Sequence, residues 1–191
     1  MIQVLNMLWF ILEKKKELSL EIAYNNMFSS IIHVLNKTKD MTPILLLETT
    51  AGQGTELCYK LEDLAYFYKK FKKHRDPKIR NRIGLCVDTC HIFSAGYDLR
   101  NEKKVNLYLE TFNELIGLSH IKLIHLNDSG VEHGKRVDRH ESLGYGKIGL
   151  EGLMHFAKKF IKMKVPLILE TPANSYLKEI PMLERLENSI D

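Results

Sequence analysis

The chain has 191 residues, of which 45% are hydrophobic and 27% are charged, and its formal net charge is +4. No stretch approaches the roughly 20 consecutive apolar residues of a transmembrane helix, so we expect no membrane passage. The small positive excess permits binding to a polyanion without requiring it. Three cysteines, Cys58, Cys86 and Cys90, do not form a paired disulfide framework, which favours a reducing intracellular compartment, cytoplasmic or nuclear.

The N-terminal residues 1–18 contain an apolar run, MIQVLNMLWFIL, followed by the basic segment EKKKE. A secretory signal has the opposite order, with positive charge before the apolar segment. We therefore expect no secretory signal and interpret residues 1–18 as the divergent start of one domain covering residues 1–191. Helical spacing of apolar residues between Ile22 and Leu35 then predicts a first helix, with His33 as a packing or surface residue.

Four short apolar runs each end on a side chain that binds metals. These runs are ILLLE, ending at Glu48, IGLCVD, ending at Asp88, IKLIH, ending at His125, and PLILE, ending at Glu170. Continuous runs of this kind are typical of strands buried on both faces, and helical spacing recurs between them, over 57–71, 105–116 and 150–161.

This alternation of strands and helices predicts an α/β fold with a parallel sheet and right-handed crossovers. The four strand ends should then project to one side of the sheet and converge, as they do in a TIM-type (β/α) barrel. A closed eight-stranded barrel usually takes about 250 residues, so we expect this chain to form only about half of one.

Two loops add further metal-binding side chains. The motif DTCH places Asp88 and His91 three residues apart, and RVDRH places Asp138 and His140 two apart. Alternate side chains of an extended segment point the same way, so Asp138 and His140 can bind one ion together. Imidazole combined with carboxylate favours zinc, with manganese or iron as alternatives.

Several longer blocks occur in one order along the chain and identify a resemblance. They are ETTAGQG at 48–54, CVDTCHIFSAGYDLR at 86–100, HLND at 125–128, RVDRHESLGYGKIG at 136–149 and LILETP at 167–172. Together they closely resemble the endonuclease IV family of zinc-dependent apurinic/apyrimidinic endonucleases, specifically the C-terminal half of that family's barrel.

The resemblance implies a DNA repair enzyme with three zinc ions, which cuts double-stranded DNA on the 5′ side of an abasic nucleotide and leaves a 3′ hydroxyl. It implies that Glu48 bridges two ions, and that Asp88, His125 and Glu170 complete the ligands of one of them. His91, Asp138 and His140 would hold the third ion. Glu48, Asp88 and Glu170 would thus serve catalysis through a metal-bound hydroxide.

Other residues of these blocks receive softer assignments. Asn127 and Asp128 are expected to orient the metal ligands from behind. Four basic side chains are candidates for contacts with DNA phosphates, with solvated loop charges as the alternative interpretation: Arg100, Arg136, Arg139 and Lys147.

The chain departs from the family upstream of Glu48, where the family's two further histidine ligands have no counterpart. This predicts up to two zinc ions and weak or no cleavage by the chain alone. A truncated gene, a short relative and a fragment completed by an N-terminal half or partner chain remain open. Two other functions also remain open: a metal-dependent sugar isomerase or epimerase, and a non-catalytic remnant that binds metal or DNA.

Overall fold

The structure is a computed structural model that describes residues 7–12 and 14–190, with only the backbone described for residues 8–11. Its strands, in chain order, are β1 (Met7–Ile11), β2 (Ile44–Glu48), β3 (Ile83–Asp88), β4 (Ile121–His125), β5 (Asp128–Ser129), β6 (His140–Glu141) and β7 (Leu167–Ile168). Its helices are α1 (Leu20–Lys37), α2 (Leu61–Lys72), α3 (Pro77–Arg80), α4 (Thr89–Ala95), α5 (Glu102–Leu115), α6 (Leu150–Lys162) and α7 (Tyr176–Asn188).

Five strands form one parallel sheet in the order β1-β2-β3-β4-β7, and β5 pairs with β6 in a separate antiparallel ribbon. Each crossover between neighbouring parallel strands contains a helix, as βαβ connections require. Asp88 lies opposite His125 in the register of β3 and β4, so the strand ends meet at one edge of the sheet. The predicted α/β, TIM-type architecture is confirmed.

The two faces of the sheet carry different cores. Leu45, Leu47, Leu85 and Val87 belong to the large cluster that packs against the helices. The opposite face carries a small cluster of Leu46, Cys86 and Leu123, all fully buried. Because side chains alternate along a strand, the next inward-facing positions after this small cluster are Glu48, Asp88 and His125. The polar side chains at the strand ends therefore lie next to this small apolar cluster, on the same face of the sheet.

Several elements differ from the sequence predictions. The N-terminal apolar run contains β1, which pairs in parallel with β2, although the sequence predicted no strand there. The helix predicted over 57–71 begins only at Leu61, because Cys58 adopts a left-handed backbone conformation with φ of 61° in the preceding loop. No helix among the described residues has the length and apolar character needed to cross a membrane.

Candidate metal centre

The ends of three neighbouring strands and the segment after β7 bring four side chains together: Glu48, Asp88, His125 and Glu170. His125 Nδ1 lies 2.8 Å from Glu48 Oε1 and 3.1 Å from Glu170 Oε2. It lies 3.9 Å from Asp88 Oδ2. Glu48, Asp88 and His125 are almost completely buried, whereas Glu170 is partly exposed. We call these four residues the deep group.

A second set, the outer group, consists of His91, Asp138 and His140. The Nε2 atoms of both histidines lie 3.3 Å from a carboxylate oxygen of Asp138. His91 is positioned by the first turn of α4, where its backbone N–H donates to Asp88 Oδ1 at the helix N-terminus. His140 comes from β6, and Asp138 comes from the loop before it.

The deep group and the outer group lie in direct contact with each other. His140 Nε2 lies 3.5 Å from Asp88 Oδ2, and His91 Nδ1 lies 3.7 Å from Glu48 Oε1. The structure therefore brings all seven predicted ligand residues into one continuous cluster. Their donor atoms are the imidazole nitrogens and carboxylate oxygens that suit zinc and related transition metals.

Backbone and amide contacts orient the ligands from behind. The Thr49 carbonyl oxygen lies 2.8 Å from His91 Nδ1, and the Glu170 carbonyl oxygen lies 3.3 Å from His140 Nδ1. Each contact leaves the opposite nitrogen, Nε2, directed at the cluster. The Asn127 amide donates to Asp88 Oδ2 at 2.7 Å and accepts from the Glu170 backbone N–H at 2.9 Å. The expected orienting contact of Asn127 is thus present.

Two buried imidazole nitrogens have an incomplete set of contacts. Among the described residues, neither His91 Nε2 nor His140 Nε2 makes a hydrogen bond of acceptable geometry, although both face Asp138. A buried polar atom without a hydrogen bond is costly, and a cation between the imidazoles and the carboxylate would satisfy it. The outer group therefore fits a bound metal ion.

Mutual electrostatics dominate the titration of the cluster. Burial by itself lowers the pKa of His91, but the carboxylates of Asp88, Asp138 and Glu48 outweigh burial and raise it to about 10. Burial acts in the same direction on His125, where contacts with Cys86, Glu170 and Glu48 raise the pKa to about 12. Conversely, the His125 imidazole lowers the pKa of the Glu170 carboxyl. Protons on His91 and His125 thus offset part of the carboxylate charge.

The loop after β2, which contains the motif TAGQG, holds the segment that carries Asp138. Gln53 Oε1 accepts the Asp138 backbone N–H at 3.0 Å, and the Gly52 carbonyl oxygen accepts from Arg136 Nε at 2.9 Å. Gly52 has φ of 77°, and a Cβ there would lie 2.8 Å from the Tyr59 ring. Glycine is therefore required at this position by both conformation and space.

Asp128 was expected to orient the metal ligands, but among the described residues its carboxylate contacts none of them. The carboxylate is fully buried and accepts backbone N–H groups from Ser129, Gly144, Gly146, Ile148 and Gly149. It thereby fixes the loop 143–149. A Cβ at Gly146 would lie 2.5 Å from Asp128 Oδ1, which explains the glycine.

A second buried carboxylate, Glu179 on α7, was not identified from the sequence. It accepts the Leu143 backbone N–H at 2.7 Å and the Thr171 hydroxyl, and so ties α7 to both the loop 143–149 and the segment after Glu170. The residues next to Glu179 in the sequence form no recognisable motif. Its role is therefore seen only in the three-dimensional contacts.

The four basic residues predicted to contact DNA all have intramolecular partners. Arg100 forms a two-point ion pair with Asp98, and Lys147 Nζ lies 2.9 Å from Glu132 Oε1. The Arg136 guanidinium stacks over the Tyr59 ring at 4.3 Å from its centroid. Arg139 is exposed and donates to the Asp138 carbonyl oxygen. Their contact with phosphates stays a prediction.

Several proteins with similar sequences are named as endonucleases. The probable endonuclease 4 of Chlorobium phaeobacteroides (strain BS1) is 43% identical over 149 residues, which cover 78% of this chain and 50% of that protein. The apurinic-apyrimidinic endonuclease of Caenorhabditis elegans is 37% identical over 158 residues, covering 83% and 38%. The chain thus spans about half the length of the curated relatives it matches, or less.

A solved structure shows the same arrangement of elements. The crystal structure of endonuclease IV from Thermus thermophilus superposes with a TM-score of 0.77 at 25% identity, covering 96% of this chain and 62% of that one. The resemblance to endonuclease IV is confirmed by these similarities. A family profile described as xylose isomerase-like TIM barrel matches residues 5–189, which is nearly the whole chain. The chain belongs to the xylose isomerase-like TIM-barrel family.

Proposed function

We propose that this chain carries the metal-binding part of a DNA repair endonuclease, which hydrolyses the phosphodiester on the 5′ side of an abasic site in double-stranded DNA and leaves a 3′ hydroxyl. The observation that carries the proposal is the contact between the deep and outer groups, through His140 with Asp88 and His91 with Glu48. Two adjoining ligand sets of this kind suit a site that holds more than one metal ion. The name of the Caenorhabditis elegans relative supports the abasic substrate.

Zinc is the metal that the donor set favours, with manganese or iron as alternatives. The deep group would hold one ion and the outer group another, with Glu48 facing both. Zinc bound here would supply Lewis acidity that activates water and offsets negative charge on a phosphodiester. Glu48, Asp88 and Glu170 are the carboxylates that we assign to this chemistry.

The chain's own residues determine how a substrate approaches. Asp88 and His125 are sealed from solvent, whereas the Asp138 side chain is 47% exposed and that of Glu170 is 34% exposed. A phosphodiester can therefore reach the cluster from the side of Asp138 and Glu170. The contacts of Thr49 and Asn127 hold His91 and Asp88 rigidly behind that opening, so little reorganisation is needed on binding.

Fewer metal ions are expected here than in the family. Upstream of Glu48 the sequence contains one histidine, His33, which lies exposed on α1. The segment after β1 contains Lys14, whose ammonium group lies 3.6 Å from Glu56 Oε1. We therefore expect up to two tightly bound zinc ions and slow incision, which elemental analysis and kinetics would measure. Three tightly held ions with rapid incision would contradict this deficit.

The test is incision of a 5′-labelled duplex that contains one tetrahydrofuran abasic analogue, with an undamaged duplex beside it. Zinc-loaded protein should nick the damaged duplex only, and a DNA polymerase should extend the product because it ends in a 3′ hydroxyl. Glu48→Gln and Asp138→Asn should abolish incision while binding persists. Glu102→Gln, an exposed carboxylate of α5, is the matched control. Equal nicking by wild type and Glu48→Gln would sink the assignment.

A metal-dependent sugar isomerase is the second candidate, because the deep group alone would suffice for a single-ion site at barrel strand ends. Substitutions in the outer group distinguish an endonuclease from an isomerase, because only the endonuclease would need this second set of ligands. His140→Ala should impair incision but leave an aldose–ketose conversion intact, if such a conversion exists. Zinc binding without either activity would identify a non-catalytic remnant.

A further inference from the structure

A run of basic residues lies at the end of the sheet opposite to the metal centre. The segment KKFKKHRDPKIRNR, over 69–82, contains the end of α2, the whole of α3 and the turn into β3. The metal ligands occupy the C-terminal ends of the parallel strands, so a segment that leads into β3 lies at the N-terminal ends. Along β3, Ile83 and Asp88 are about 16 Å apart, at about 3.3 Å per residue. The basic run and the metal centre therefore lie at opposite ends of the fold.

Three cations at this end of the sheet lie close together. Lys72 Nζ donates to the Arg80 carbonyl oxygen at 2.7 Å and lies 5.9 Å from the centre of the Tyr68 ring. The Tyr68 hydroxyl contacts His120 Nδ1 at 3.2 Å. Lys122 Nζ donates to the carbonyl oxygen of the residue before His120, at 2.7 Å. These contacts bring Lys72, Arg80 and Lys122 to one surface, which we call the basic end.

The cations of the basic end have no carboxylate partner among the described residues. Their hydrogen bonds go to backbone carbonyl oxygens, as when the Arg80 guanidinium donates to the Arg75 carbonyl at 3.0 Å. Such bonds satisfy the donors but do not neutralise the positive charge. Burial lowers the pKa of Lys72, and the charges of Lys122 and Arg80 lower it further. Burial, Lys72 and Lys122 likewise lower the pKa of His120. Like charges therefore repel one another at this surface.

The acidic residues of this region are too few to neutralise it. Asp40 lies 3.9 Å from Lys78 in an exposed pair, and Asp76 caps α3 by accepting the Lys78 backbone N–H. Glu114 is exposed in the last turn of α5. Against these three, the run 69–82 contains eight lysines and arginines. One or two of them would offset the dipole at the end of α2, so the excess points to an anionic partner.

We propose that the basic end is a second DNA-binding surface, which holds the phosphate backbone of an undamaged duplex at the end of the fold opposite to the metal centre. The choice of DNA rests on the proposed function, whereas the surface itself rests on the charges that lack carboxylate partners. Duplex DNA carries one negative charge for about every 1.7 Å of its axis, so closely spaced cations can each reach a phosphate. Phosphate contacts carry no base specificity, so this surface would not compete with the metal centre for a damaged nucleotide.

Fluorescence anisotropy of the metal-free chain with an undamaged labelled duplex tests the proposal. Three phosphate contacts predict that the association constant falls about 40-fold between roughly 50 and 200 mM salt. Lys72→Gln, Arg80→Gln and Lys122→Gln should each reduce the slope of this salt dependence by about 1. Lys158→Gln is the matched control, because Lys158 is exposed on α6, outside the basic end, and the change in charge is the same. The control should keep the wild-type slope.

An incision assay separates this surface from the proposed function. The three variants should cut a short abasic duplex with the wild-type kcat, because the basic end lies away from the metal centre. A chain that binds the duplex through the basic end but cuts no abasic DNA would refute the endonuclease and leave the surface in place. Folded variants that keep the wild-type salt slope overturn the surface, whatever the incision rate.

A membrane surface is the competing partner for a basic patch. Tighter binding of the wild-type chain to phosphatidylserine vesicles than to the duplex, at equal salt, would identify that partner and overturn the proposal. Circular dichroism checks that each variant is folded. Lys73→Gln, at an exposed position next to Lys72, replaces any variant that has unfolded.

Discussion

Replacing Asp128 by asparagine should strongly destabilise the protein. The carboxylate oxygens of Asp128 accept backbone N–H groups on both sides, with Ser129 and Ile148 donating to Oδ1 and Gly144 and Gly146 donating to Oδ2. An amide has one oxygen and one NH2 group, so two of these donors would face another donor. Each such loss costs about 1–3 kcal/mol, and we expect a total loss of about 3 kcal/mol.

Urea unfolding followed by circular dichroism gives the free energy of unfolding for this test. The matched control is Asp76→Asn, because Asp76 accepts one backbone N–H, from Lys78, at the start of α3 and asparagine caps helices equally well. We expect the control to lose less than about 0.5 kcal/mol. A loss below about 1 kcal/mol for Asp128→Asn would refute the view that this carboxylate holds the loop 143–149.

Four further results are expected. Asn127→Ala should lower zinc affinity about 10- to 100-fold in a competition with a chromogenic chelator, whereas Asn106→Ala, distant from the cluster, should not. Zinc binding at neutral pH should release protons from His91, whose pKa is raised to about 10, so the calorimetric heat should depend on the buffer and affinity should rise with pH. The same shift stabilises the metal-free fold fully below pH 6.5, and that contribution should be lost as the pH rises towards 10. Tyr108→Phe should change the free energy of unfolding by less than about 0.5 kcal/mol, because its buried hydroxyl has no hydrogen-bond partner among the described residues; a loss above about 1 kcal/mol would contradict this.

The seven cluster residues could be predicted because several local signals, each weak alone, point to the same side of the sheet. A continuous apolar run that ends in Glu48, Asp88 or His125 specifies both a buried strand and the side of the sheet at which it ends. The spacing within DTCH has a structural reason, since Asp88 caps α4 and positions His91.

Other elements lack such signals. The strand β1 lies in an apolar run that is equally compatible with other buried structure, so the run alone did not identify a strand. The helix α7 contains Pro181 and exposes Leu177, which obscures its apolar face. The roles of Gln53 and Asp128 depend on bonds from side chains to backbone groups distant in sequence, which composition and periodicity do not record.

In many small metal proteins, folding requires the metal ion. The ion pairs of His125 and His91 would make folding of this chain independent of metal binding. With the imidazoles protonated, the carboxylates of Glu48, Asp138 and Glu170 have counter-charges within the chain itself. The metal-free chain can then keep its folded structure with these protons in place, and a bound metal ion would displace them. A newly made chain with this arrangement can wait in its native shape until metal becomes available.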